Sequence, residues 1–136
     1  MPASRVIALR KGMLEASCGP LNTIRALGRV GLDVLCICSA CLPETRAELA
    51  AAGVSVEQIC PEDPRPSTVA AKLRHYHRFG KRAWRIIEKE CGNGLLWVTK
   101  IDTAMALGRP LLKKNYVLSL QELHDRYFLY QRAIRL

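Results

Sequence analysis

Five short apolar runs, "RVIALR" (5–10), "LDVLCICS" (32–39), "VSVEQI" (54–59), "LLWV" (95–98) and "NYVLSL" (115–120), alternate with segments bounded by Gly or Pro. The second run lacks polar alternation, as a strand covered on both faces requires, whereas "VSVEQI" alternates like a strand nearer a sheet edge. Between the first two runs, Gly19 and Pro20 begin a helix with Leu21, Ile24 and Leu27 on one face, and Gly31 closes it with a left-handed cap. A compact helix from Pro43 to Gly53 precedes the third run. After the Pro-rich loop "CPEDPRPS", residues 68–91 read as a long amphipathic helix with Leu73, Tyr76, Ala83, Trp84 and Ile87 inward. Gly92 and Gly94 end it, "DTAMALG" is a short helix after the fourth run, and "ELHDRYFLYQRAIRL" is a final one. Strand and helix alternate throughout, so the expected architecture is an α/β, Rossmann-like, three-layer domain with a mainly parallel sheet of at least five strands. Residues 1–136 are expected to form one such domain, with ligands gathering at the carboxyl ends of the strands, in the loops 11–20, 99–103 and 121–125.

A chain of 136 residues suits a single core. The longest apolar run, Val34 to Leu42, is far short of the roughly 20 residues of a membrane span, and the first residues carry no signal core. A cytoplasmic protein, peripheral at the inner face of a membrane if its charge is used there, is the expectation. Six cysteines do not form a loop-rich disulfide framework, and Cys36 and Cys38 lie two apart in a strand-like run, on one face. They are read as reduced, buried small hydrophobes, and no metal site is assigned, since neither a paired C-x-x-C nor a nearby His accompanies Cys36, Cys38 and Cys41.

Twenty-one Lys and Arg against twelve Asp and Glu give a net charge of +9, which favours an anionic partner. The long helix is the most basic stretch. Lys72, Arg74, Arg78, Lys81, Arg82 and Arg85 on it are expected to contact a membrane or polyanion, with Tyr76, Phe79 and Trp84 interleaved, and each exposed cation near an anionic bilayer contributes about 1 kcal/mol. The competing reading is a solvated outer face over a core of Leu73, Trp84 and Ile87. Nucleic acid is disfavoured, because no RNP, helix-turn-helix or finger pattern accompanies the charge. The first loop contains neither the dinucleotide nor the P-loop fingerprint. Gly19 either admits a ligand to a helix start or serves only the turn. Lys100, Asp102 and Thr103 follow the fourth run, with Asp102 placed to cap the next helix. Gln121, Glu122, His124 and Asp125 follow the fifth and could support proton transfer, but no nucleophile is paired with them.

Three stretches, "CGPLNTIRALGRVGLDVLCI" (18–37), "KIDTAMALG" (100–108) and "YVLSLQELHD" (116–125), together resemble the amino-terminal, acceptor-binding domain of GT-B, retaining-type, nucleotide-sugar glycosyltransferases. In the first, Gly19, Ala26, Leu27, Gly31 and Val34 fit a G-x6-A-L-x3-G-x2-V pattern. The other two match a D-T turn after strand four and an E-L turn after strand five. The resemblance implies that Gly19 lines a cleft near the donor's phosphates, that Lys100, Asp102, Thr103 and His124 belong to the substrate site, and that Glu122 and Gln121 sit at the catalytic centre. Two positions depart from the pattern. Lys100 stands where an acidic residue is expected, and Gln121 where a His is expected. No Glu pair has the E-x7-E spacing of the family's donor domain. A donor-binding domain or partner chain would then have to supply the nucleotide-sugar site, with no cofactor held by this domain. The partners implied are that second half, a sugar acceptor, an anionic membrane surface, and another copy of the chain through its exposed cleft face.

Overall fold

The computed structural model describes residues 5–16, 18–59, 68–90 and 94–119. Its centre is a five-stranded sheet of order β3-β2-β1-β4-β5, built from β1 (Val6–Met13), β2 (Val34–Ala40), β3 (Val54–Gln58), β4 (Leu95–Val98) and β5 (Tyr116–Leu118). Every pairing is parallel, with Ile7 opposite Leu35 on one side and Leu96 on the other. Each expected strand is present. The first is longer than its apolar run, extending through Lys11 and Gly12 to Met13 with a register shift after Arg10.

Helices cover both faces. α1 (Cys18–Arg29) and α2 (Pro43–Ala51) connect β1, β2 and β3, while α3 (Val69–Glu90) and α4 (Ile101–Leu107) connect β3, β4 and β5. The sheet residues divide by parity, as a pleat demands. Ile7, Leu9, Ile37, Leu96 and Val98 pack with Phe79, Ala83 and Ile87 of α3 and Leu107 of α4. Ala8, Cys36, Cys38, Val56 and Trp97 pack on the opposite face with Ile24 of α1 and Leu49 of α2. Two apolar layers therefore hold one three-layer domain, the Rossmann-like arrangement expected from the alternation.

Local signals explain most of the boundaries. Gly31, at φ 91°, ends α1 in a Schellman motif, its N–H donating to Gly28 O and that of Leu32 to Leu27 O. α1 begins at Cys18, two residues before the Pro expected to open it. α2 has Pro43 in its first turn, and Gly53 turns the chain into β3 at φ 86°. A short 3-10 turn, Arg109–Lys113, precedes β5 and buries Leu111; it was not foreseen in "RPLLK".

α3 departs from its expected inner face. Leu73 is 64% exposed, whereas Phe79, expected among outward aromatics, is fully buried with Gly80, Ala83 and Ile87. The physical reason is length. Twenty-two helical residues span about 33 Å, whereas β4 has four residues, so only the later turns of α3 lie over the sheet. No residue before Phe79 in this helix is buried. Trp84 is half-buried and donates its indole N–H to Leu107 O at 2.8 Å, which ties α3 to the end of α4.

Candidate functional site

Strands β1 and β4 are neighbours whose onward connections leave to opposite sides of the sheet, so the crevice at their carboxyl ends is the topological switch point. The loops there are joined directly. Lys11 N–H donates to Thr103 Oγ1 at 2.8 Å, and Gly12 N–H donates to Ser39 Oγ at 2.8 Å. Thr99 adds a bond from its hydroxyl to Leu9 O at 2.9 Å. Gly12 sits at φ 114°, a conformation that side chains disfavour, and this lets the exit of β1 turn between the two hydroxyls. The amides of Lys11 and Gly12, which a phosphate could otherwise have claimed, are thus held by Thr103 and Ser39.

Around this junction stand charged groups. Lys100 is the N-cap residue of α4, and its ammonium lies 3.5 Å from Asp102 Oδ2. Asp102 does not cap the helix through its side chain, contrary to expectation. No side-chain cap bond forms at Lys100, and the Asp102 carboxylate, one step inside the helix, turns to the lysine instead. Asp102 Oδ1 is buried without a hydrogen-bond partner among the described residues, an acceptor with room for a donor. Thr103 is fully buried, its hydroxyl oxygen accepting from the β1 loop. The Lys11 ammonium lies 4.2 Å from the centre of the Tyr76 ring, a cation–π contact that brings α3 to the same end of the sheet.

Lys100, Asp102 and Thr103 are therefore brought together, as the sequence suggested. Gly19 is exposed in the first turn of α1, with its carbonyl accepting from Thr23 Oγ1 at 3.1 Å. Gln121, Glu122 and His124 lie outside the described residues. Arg10, Lys11 and Ser39 were missed. Arg10 was read only as the end of an apolar run, although a cation finishing a buried central strand is itself a signal.

The basic residues of α3 form a second region. Lys72 is exposed, and Arg74, His77, Arg78, Lys81, Arg82 and Arg85 line an open groove of about 350 Å3 on the outer face. Arg82 donates to Ile59 O at 2.7 Å. The helix's aromatic residues do not form anchors there: Phe79 is in the core, Trp84 binds α4, and Tyr76 stacks under Lys11. No helix among the described residues is long and apolar enough to cross a membrane.

Cys36, Cys38 and Cys41 are free and buried beneath α1 and α2. The neighbouring Cys36 thiol and burial push the Cys38 thiol far up. Burial, with Cys38 and Glu15 nearby, pushes Cys41 up to about 11. Among the described residues, no group of three or more His, Cys, Asp or Glu is arranged to hold a metal.

No protein-family model matches the chain, and no curated protein matches it in sequence. Two solved structures of the C-terminal domain of a hydrogenase from Pyrococcus furiosus are similar in fold. Each has a TM-score of 0.56, with 13% and 14% identity, covering 85% and 86% of this chain and 90% and 92% of theirs. A glycosyltransferase from Streptomyces sp. SF2575 is also similar, at a TM-score of 0.50 and 17% identity; the likeness covers 85% of this chain and 38% of that one. Identities this low establish likeness of fold alone, and that fold is a parallel α/β domain of Rossmann-like form.

Proposed function

We propose that the chain is the acceptor-binding half of a retaining-type, GT-B glycosyltransferase, which moves a sugar from a nucleotide-sugar donor to a glycan or lipid-linked acceptor. One observation carries the reading: at the switch point, where α/β domains bind ligands, Asp102 keeps a buried carboxylate oxygen without a partner among the described residues, beside Lys100 and Thr103. A sugar hydroxyl is a donor of the right kind for that oxygen. The motifs at 18–37, 100–108 and 116–125 support the same reading. The fold likeness to a glycosyltransferase of which this chain spans 38% is compatible with a half enzyme. In this proposal Gly19 borders the donor's phosphates, Glu122 and Gln121 stand at the reacting centre, His124 supports them, and a second domain or partner chain supplies the nucleotide-sugar site.

The test begins with the coding region, read for a second alternating strand and helix domain carrying an E-x7-E pair. With that half present, sugar transfer is measured for the wild type and for Asp102→Asn, Lys100→Ala and Glu122→Gln. Turnover is expected to fall at least tenfold in Asp102→Asn and Glu122→Gln without loss of folding. Unchanged turnover in all three, or no donor half in either the coding region or a partner, sinks the proposal.

A second reading is favoured by the groove on α3: a noncatalytic module that docks on an anionic membrane or polyanion. Its groove is lined by five Arg or Lys and a His, with no carboxylate among its lining residues. Because the helix's aromatic residues face inward, contact would be electrostatic and screened by salt. Sedimentation with vesicles containing phosphatidylserine, against neutral vesicles, decides it. Binding to neither removes this reading.

A further inference from the structure

Arg10, 4% exposed, is the last residue of the central strand before its register shift, paired with Cys38 of β2. Its parity puts it on the same face as Ala8, which packs with α1 and α2. Among the described residues one hydrogen bond holds its side chain: Nε donates to Met13 O at 3.2 Å. No carboxylate pairs with it among the described residues. The carboxylate nearest in sequence, Glu15, accepts from Leu42 N–H through Oε1 at 2.6 Å and makes no ion pair with Arg10, although its Oε2 is buried without a hydrogen-bond partner among the described residues. At 4% exposure Arg10 is nearly closed off from bulk solvent, and its two terminal nitrogens have no hydrogen-bond acceptor among the described residues.

Burying a guanidinium that has no counter-charge among the described residues is costly, and an apolar residue at this position of β1 would avoid that cost. The planar, two-nitrogen edge of Arg matches the geometry of phosphate and carboxylate oxygens, to which it donates in pairs. One residue further on, the Lys11 amide is already bonded to Thr103, so the guanidinium is rooted at the switch point rather than on an outer surface.

We propose that Arg10 binds an oxyanion, a phosphate or carboxylate group of the ligand, through its two terminal nitrogens at the carboxyl end of β1. The site is separate from the α3 groove and does not require sugar transfer, so it stands or fails in this chain by itself. Inorganic phosphate, pyrophosphate and malonate, each at matched ionic strength, are titrated into the wild-type chain while the Arg10 Nε–Hε resonance is followed by NMR. A saturable shift at Arg10 is expected with at least one of them, and the arms tell phosphate from carboxylate recognition. Followed at the backbone amide of Gly12, which the substitution keeps, Arg10→Met should weaken that binding at least tenfold, whereas the triple change Arg74→Ser, Lys81→Ser, Arg85→Ser should leave it within twofold. If no anion moves the Arg10 resonance in the wild type, or if the triple variant and not Arg10→Met loses binding, the proposal is overturned. Should Arg10→Met fail to fold, the wild-type titration and the triple variant still decide.

Discussion

Cys38 and Cys41 show how one buried face sets the chemistry of individual side chains. Both thiols are held in the protonated form, Cys38 by the neighbouring Cys36 thiol and burial, and Cys41, until about pH 11, by burial with Cys38 and Glu15 nearby. The unfolded chain releases these protons from about pH 9, so between pH 9 and 11 it gains stability by ionising while the fold does not. Stability to urea is therefore expected to fall as pH rises through that window, and changing Cys41 to Ala should flatten the slope. A slope unchanged by the substitution would remove Cys41 as its cause. The thiolate is the reactive form, so these cysteines should resist alkylation at pH 8 in the folded chain. The burial of Cys38 was legible in the apolar run "LDVLCICS", which ends before Cys41. Asp102 was legible in position but not in role: its place at the start of a helix suggested a cap, and only the geometry showed its carboxylate directed to Lys100. Arg10 was legible as a cation closing the apolar run "RVIALR", but not as a group left without a carboxylate, because a local run carries no record of which side chains will approach it.

At the scale of elements, close approach of helices depends on two glycines inside them. A Cβ at Gly80 would collide with the Ala106 carbonyl oxygen of α4, and one at Gly28 would collide with Ala52 O and the Val54 side chain. Both glycines have ordinary helical backbones, so their need is space rather than conformation. Gly80→Ala is expected to destabilise the fold by about 1–3 kcal/mol through overpacking, although alanine is the better helix former. Chemical denaturation measures this, and a stabilised variant would contradict the contact. Sequence periodicity located α3 to within a residue at each end, because Pro and Gly punctuate it. It mistook Leu73 for core and Phe79 for surface, since the period of a helix gives its faces but not how far the sheet beneath it extends. The outward stripe from Arg74 to Arg85 was legible as charge, and its groove only as geometry.

Over the whole molecule, the order β3-β2-β1-β4-β5 gathers residues from distant parts of the chain at one end of the sheet. Arg5 works at the other end, pairing with both Asp33 and Glu90, so the amino edge is fastened by charge. The alternation of strands and helices made the layered architecture legible, whereas the placing of β4 beside β1 rests on long-range pairing that no local pattern encodes. That placing lets Thr103 reach Lys11, 92 positions away, and lets Ser39 hold Gly12 from the other neighbouring strand. These amides should exchange with solvent deuterium as slowly as those of the core, and Thr103→Val should accelerate exchange at Lys11 while leaving the Ile7 amide protected. Equal exchange in variant and wild type would show that the bond does not restrain the loop. With both hydroxyls in place, the rim of the crevice is set before any ligand arrives. The freedom that a glycine loop would otherwise surrender on closing around its ligand is surrendered on folding instead, which leaves association there closer to a rigid fit.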